Sequence, residues 1–286
     1  MKLRNPKADL FIPDASPAAT ALARTTHLGI GAHQDDLEIM AFHGILECYG
    51  KPDKWFTGVT CTNGAGSPRT GVYADYTDDM MQAVRRKEQR NAAEVGGYSA
   101  MFQLDYPSGI TKDVRNPALT DELASILEAT RPDVVYTHNP ADKHDTHLAV
   151  TVAAIAAIRK MPLTARPDKV YGCEVWRDLD WLPDQRKVSL DVSGRDHLAS
   201  ALTGLFDSQI SGGKRYDLAT AGRRRANATY FESHGVDKTD QLIFAMDLTP
   251  LAHDDKVDTI EYVLGLIDEL KIDVNARLSA RLGRSS

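Results

Sequence analysis

Along the first 160 residues, short apolar runs alternate with longer stretches whose apolar residues recur every three or four positions, a rhythm that predicts strand and helix in turn. His27 to Ala32 predicts a buried strand, and Leu37, Met40, Ala41, Gly44, Ile45 and Cys48 then predict a helix over Asp36 to Tyr49. Lys54 to Thr62 reads as a second strand, broken by the turn-forming run Thr62 to Pro68, with the stretch through Tyr76 a long loop placed as a lid. A charged helix over Asp78 to Gly96 follows, with Met81, Val84, Glu88, Ala92 and Val95 along one side. Met101 to Leu104 is a third strand, Leu119 to Thr130 a helix, Asp133 to Thr137 a fourth strand, and 147–160 an alanine-rich helix. This alternation implies a parallel sheet with right-handed crossovers.

Beyond Pro162 the rhythm loosens. Strands are expected over Lys169 to Trp176, Arg186 to Val192 and Leu242 to Met246, and helices over Arg195 to Gln209, Tyr216 to Asn227 and Asp255 to Ile272. The last carries Val257, Ile260, Val263, Leu264, Ile267 and Leu270 at amphipathic spacing. The fold class is therefore α/β: a Rossmann-like, mostly parallel sheet flanked by helices, with added C-terminal strands and helices. We read 1–286 as a single domain, with 1–25 an N-terminal arm, 26–160 the core that carries the chemistry, and 161–286 a portion for substrate and oligomer contacts.

Composition narrows the class. At 286 residues, with 42% hydrophobic and 26% charged, the chain can bury a full core. A net charge of -6 argues against a nucleic-acid partner, which needs clustered positive surface. Three scattered cysteines, Cys48, Cys61 and Cys173, form no CxxC pair and fit a reducing compartment. The charged N-terminus does not read as a signal peptide, and no run approaches a membrane span of ~20 apolar residues, so a cytoplasmic protein with no membrane partner is expected.

Two polar clusters then change the picture. Gly31-Ala32-His33-Gln34-Asp35-Asp36-Leu37-Glu38 leaves the first strand, and His138-Asn139-Pro140-Ala141-Asp142-Lys143-His144-Asp145-Thr146-His147 leaves the fourth. In open parallel sheets ligands bind beyond the strand ends, where such loops converge. His33, Asp36 and His147 supply two imidazoles and a carboxylate, the three-ligand set of a hydrolytic zinc that leaves one position for water. Asp35 can lean over that water as general base, His144 faces the site as an electrostatic or acid partner, and Asp142 can orient an imidazole through its free nitrogen. Hydrolysis of an amide or ester is the implied reaction.

The first cluster resembles the AHPDDE signature and the second the HxDH-type signature of the zinc-dependent N-deacetylases, the LmbE-like and PIG-L family. Arg85-Arg86-Lys87-Glu88, Leu104-Asp105-Tyr106-Pro107 and Arg131-Pro132-Asp133-Val134-Val135 extend the resemblance over residues 26–160. It implies a Rossmann-like fold and removal of an N-acyl group, usually acetyl, from an amino sugar such as N-acetylglucosamine or a conjugate. Carried onto this chain, it makes His33, Asp36 and His147 the ligands of one Zn2+ (with Fe2+, Co2+ or Mn2+ as other divalent ions), Asp35 the base and His144 its partner. It also assigns Arg85 and Asp105 to sugar hydroxyls and implies a homo-oligomer, a trimer or hexamer. Gln34 stands in place of the usual proline, Leu37 is inserted before Glu38, Ala65 replaces a frequent glutamate and His43 a common glycine.

Other readings accompany these. Glu38 is structural, His138 a partner of its loop, His43 a satisfied buried histidine, and His27, His197 and His253 surface or structural. Arg223-Arg224-Arg225 with Lys214 and Arg215 reads as a solvated helix face, or as a site for a substrate phosphate or carboxylate. Tyr230 to Gly235 suits a sugar rim or a subunit interface. Rival functions are a non-haem iron oxygenase, a nucleotide- or sugar-binding module, and an amidase on a thiol conjugate or other N-acyl amine.

Overall fold

The structure, a computed structural model, describes residues 2–284. In chain order its strands are β1 (Asp9–Phe11), β2 (His27–Gly31), β3 (Phe56–Thr62), β4 (Ala100–Tyr106), β5 (Val134–His138), β6 (Lys169–Cys173), β7 (Lys187–Asp191) and β8 (Leu242–Asp247). The helices are α1 (Ala18–Ala23), α2 (Asp36–Met40), α3 (Phe42–Cys48), α4 (Asp78–Val95), α5 (Ser108–Thr111), α6 (Ala118–Thr130), α7 (Asp145–Arg159), α8 (Asp196–Gly204), α9 (Asp207–Ile210), α10 (Tyr216–Tyr230), α11 (Thr249–His253) and α12 (Thr259–Leu282). All eight strands join one sheet in the order β1-β4-β3-β2-β5-β6-β8-β7. The five central strands run parallel, and β1, β7 and β8 supply antiparallel pairs at the two sides.

Apolar residues on both faces explain why these strands sit under helices. Leu28, Ile30, Val59, Phe102 and Leu104 join one cluster with Leu123 and Ile126 of α6 and Val150 and Ile158 of α7. Phe56 and Met101, at the opposite parity of their strands, join another with Ile45 of α3 and Leu202 of α8. Chain order reverses at β2, whose neighbours are β3 and β5. The loops leaving β2 and β5 therefore flank the crevice expected at a topological switch point.

Several expected boundaries move. The N-terminal arm contributes β1, which pairs with β4 through Asp9 and Gln103. The single helix expected over Asp36 to Tyr49 is divided at Ala41 into α2 and α3. On α4 the buried side holds Arg85, Glu88 and Gln89, while Val95 is exposed. α12 continues ten residues past the expected Ile272. No helix among the described residues is long and apolar enough to cross a membrane.

Candidate active site

The turn after β2 is bent to a purpose. Asp35 has φ of 95° and ψ of -29°, a left-handed conformation that costs a non-glycine residue on the order of 1–3 kcal/mol. Its N–H donates to Gln89 Oε1 at 3.3 Å, and its carboxyl lies 3.7 Å from the Arg85 guanidinium. This bend lets residues 33, 35 and 36 all reach one cleft of about 380 Å³, walled also by His144 and by the loop from Thr62 to Pro68. Gly64 of that loop has φ of +74° and leaves no room for a Cβ, which would stand 2.7 Å from Arg85 Cδ.

Three side chains converge here. His33 Nδ1 lies 3.2 Å from Asp36 Oδ2, His147 Nε2 lies 3.5 Å from Asp36 Oδ1, and the two imidazole nitrogens are 3.3 Å apart, so the two histidines meet different oxygens of one carboxylate. Donors around a tetrahedral ion with bonds of ~2.0–2.1 Å are ~3.3–3.4 Å apart, and each of these contacts is of that size. Asp142 Oδ2 accepts from His147 Nδ1 at 3.0 Å, which leaves Nε2 with its lone pair toward the other two.

Among the described residues, the donor sets whose atoms all lie within 4.8 Å of one another are His33 with His144 and His147, and Asp36 with His138 and His147. The Ala32 N–H donates to His138 Nε2 at 3.0 Å and occupies its lone pair, so His138 is a positioning neighbour stacked 3.7 Å from the His147 ring. His144 caps the start of α7, its ring 5.0 Å from that of His33 and stacked on Trp176, with Nδ1 buried and without a partner.

Burial acts on every charge in this cluster. It pushes the Asp35 carboxyl well above the usual range against the pull of Arg85, and the charge of Asp36 adds to the rise. Asp36 is also buried, yet His147 and His138 beside it hold its carboxyl well below that range. Desolvation, aided by the neighbouring histidines, brings His138 and His144 down to about 4. A cation is bound by ionised carboxylates and unprotonated imidazole nitrogens, and the lowered His138 and His144 lean that way.

The remaining expected residues fall in different places. Glu38 accepts from Tyr98 Oη at 2.6 Å and Gln89 Nε2 at 2.9 Å, and His43 Nδ1 pairs with Tyr136 Oη at 2.9 Å. Gln34 is held by Arg85 and reaches the Thr62 carbonyl, so the side chain in place of proline ties the loop to the turn. Arg85 is buried but still lines the cleft. Asp105, the other residue expected at sugar hydroxyls, is buried in a 2.5 Å ion pair with Arg86 and does not line the cleft. Arg224 corrects the solvated-face reading, being buried with Nη2 on the carbonyls of Glu38 and Ile39. The run 230–235 lines neither the cleft nor the chamber beside it. Trp176, Lys214 and Tyr216 do line the cleft, and no spacing in the sequence pointed to Trp176.

The histidine–aspartate cluster at the switch point of the parallel sheet is a site whose donors could hold a metal ion. Residues 28–158 match the family model described as "PIG-L: GlcNAc-PI de-N-acetylase". The uncharacterized deacetylase YaiS of Escherichia coli (strain K12) is 28% identical over 158 residues, 52% of this chain and 76% of its own length. Among solved structures, the N,N'-diacetylchitobiose deacetylase from Pyrococcus horikoshii superposes with a TM-score of 0.58 at 18% identity, over 78% of this chain and 84% of that one. GalB, the 4-carboxy-2-hydroxymuconate hydratase of Pseudomonas putida KT2440, gives 0.58 at 19% identity, over 78% and 95%. At these identities the two structures share a fold with this chain, and that fold carries more than one chemistry. The match over residues 28–158 is to the PIG-L (LmbE-like) family, and together with the deacetylase relative it supports a hydrolytic N-deacetylase.

Proposed function

We propose that this N-deacetylase releases acetate from an N-acetylated amino sugar such as N-acetylglucosamine or a conjugate of it, using one Zn2+ per chain at His33, Asp36 and His147. The contacts of 3.2–3.5 Å among His33, Asp36 and His147, with Asp35 beside them, carry this reading. When bound, such an ion supplies Lewis acidity that brings the pKa of a water toward ~7. Fe2+, Co2+ or Mn2+ fit the same nitrogen and oxygen donors.

Asp35 takes a proton from the water as its oxygen adds to the amide carbon, and its raised proton affinity suits it to pass that proton on. His144, neutral and beside the same spot, donates a ring N–H hydrogen bond to the developing oxyanion, and the proton taken up by Asp35 passes to the amine as the C–N bond breaks, directly or relayed through the His144 ring. Asp142 holds His147 in one tautomer throughout. Arg85, within 3.7 Å of Asp35, opposes the rise that burial imposes on the base.

The test is metal content by elemental analysis together with acetate release from N-acetylated sugars and from N-acetylated amines and thiol conjugates lacking a sugar. About one zinc per chain with turnover of the sugars supports the reading. Release only from the non-sugar amides makes the chain an amidase instead, and no metal with no release overturns it.

Buried free thiols at Cys48, Cys61 and Cys173 support a reducing, cytoplasmic setting. The chain is also read as a homo-oligomer, and α12 supports this. Ile260, Leu264, Ile267, Lys271, Val274 and Leu278 follow 4-3-4-3-4 spacing, and all are exposed. The residues from 258 to 270 carry Asp258, Glu261, Asp268 and Glu269, and those beyond carry Lys271, Arg277, Arg281 and Arg284 against Asp273 alone. Antiparallel pairing with a second copy sets each acidic half on a basic half. Such a two-fold contact builds even-numbered assemblies, which favours a hexamer over a trimer.

A further inference from the structure

Beside the catalytic cleft lies a second chamber of about 360 Å³ that shares with it Ile39, Val175, Trp176, Lys214 and Tyr216. Its far wall is α10 and the segment leading into it, which carry five basic residues between Lys214 and Arg225. Two of them are neutralised by carboxylates: Arg215 pairs with Asp217 at 2.7 Å, and Arg225 with Asp196 at 3.0 Å. Lys214, Arg223 and Arg224 line the chamber, and none is in an ion pair among the described residues.

Arg224 is the most demanding of the three. Its side chain is buried, its Nη2 donates to two backbone carbonyls, and its Nε is buried without any partner. The guanidinium lies 4.6 Å over the Phe42 ring, and a buried cation without an ion pair is stabilised when an anion reaches it. Lys214 Nζ sits 4.6 Å over the Trp176 ring, at the passage between the two spaces. Arg223 spends Nη1 on the Val175 carbonyl. One carboxylate, Glu174, also lines the chamber, but its oxygens accept from Asn227, the Phe244 N–H and the Leu179 N–H. Its charge acts on Arg223 and Arg224 through space, but it forms no ion pair with any of the three cations among the described residues.

We propose that this chamber is an anion subsite: the substrate's acetamide lies at Asp35 and His144 while a phosphate or carboxylate on the same molecule passes Trp176 and meets Lys214, Arg223 and Arg224. This rests on the deacetylase reading for the acetamide end and on the unpaired cations for the other. Guanidinium groups favour both anions through charge-assisted hydrogen bonds.

Three probes separate the possibilities: methyl N-acetylglucosaminide, N-acetylglucosamine 1-phosphate, and a carboxymethyl N-acetylglucosaminide. Binding is followed by tryptophan fluorescence, with Trp176 at the shared wall, and turnover by acetate release. The preferred anion should bind at least tenfold more tightly than the neutral glycoside and show a similar advantage in kcat/KM, and R223Q should bring both ratios close to one. The better of the two charged probes identifies the anion. Ratios near one in the parent, or ratios that R223Q leaves in place, overturn the subsite. If no probe releases acetate but a charged probe still binds tenfold tighter in an R223Q-sensitive way, the deacetylase assignment fails and the anion subsite stands.

Discussion

Asp142 Oδ2 accepts a 3.0 Å hydrogen bond from His147 Nδ1, and this contact decides which nitrogen of His147 faces the centre. The carboxylate is buried, yet the bond from His147 and the backbone N–H of Lys143 keep it below the usual range, so it stays an acceptor. Asp142→Asn can present an N–H instead and favour the wrong tautomer. Metal affinity should fall about 10- to 100-fold, as is usual when such a partner is lost. Competition against a chromophoric chelator measures it, and an unchanged affinity would separate Asp142 from the centre.

Asp35 offers a cleaner separation of structure from chemistry. Its left-handed backbone suits asparagine better than alanine, so Asp35→Asn should fold with a melting temperature near the parent's and retain its metal. With Asp35 as the proposed base, this substitution should lower acetate release by about 10²- to 10⁴-fold. Asp35→Ala, by contrast, should also lose stability. Full activity in Asp35→Asn would move the base elsewhere.

His27 makes a prediction about pH and stability away from the centre. Burial, helped by the Lys54 and His43 charges, brings it down to about 4 from 6.5. Above pH 6.5 the ring is neutral folded and unfolded. Between pH 6.5 and 4 the unfolded chain takes up a proton that the folded chain refuses, so stability falls as pH falls, by up to about 3 kcal/mol for this group. In urea titrations across that window His27→Gln should lose less stability than the parent as pH drops. Equal losses would show that His27 titrates alike in both states.

How far the sequence foretold this arrangement depends on whether a feature is local. Clusters at the ends of β2 and β5 were legible because a strand period gives way to a helix period beside His33 and His147, and parallel topology then brings the two ends together. β1 was not, since a three-residue edge strand such as Asp9–Phe11 is too short to display any period. On the buried side of α4, Met81, Glu88 and Ala92 were foreseen, but Arg85 and Gln89 were not. Arg85 and Gln89 turn inward to serve Asp35, Gln34 and Glu38, and a hydrophobic pattern cannot register polar residues buried for function. Arg224 escaped likewise: three arginines in a row read as a wet surface, while only the fold shows the middle one entering the wall between α2 and α10.

α12 supplies the last prediction. Past Leu270 it has little contact with the rest of the chain, and Ile272, Val274, Leu278 and Leu282 stay exposed. A helical stretch this short is marginal in water without packing on a partner. With a second copy along the seam, the acidic half of each helix meets the basic half of the other, so association should weaken as salt screens those pairs. Light scattering should find an even-numbered oligomer for the parent and smaller species for Leu264→Asp combined with Leu278→Asp. Both positions lie on the exposed side of the helix, so the fold of the chain should survive the change, which circular dichroism can check. A monomeric parent, or an oligomer indifferent to both substitutions, would leave this seam without its second copy.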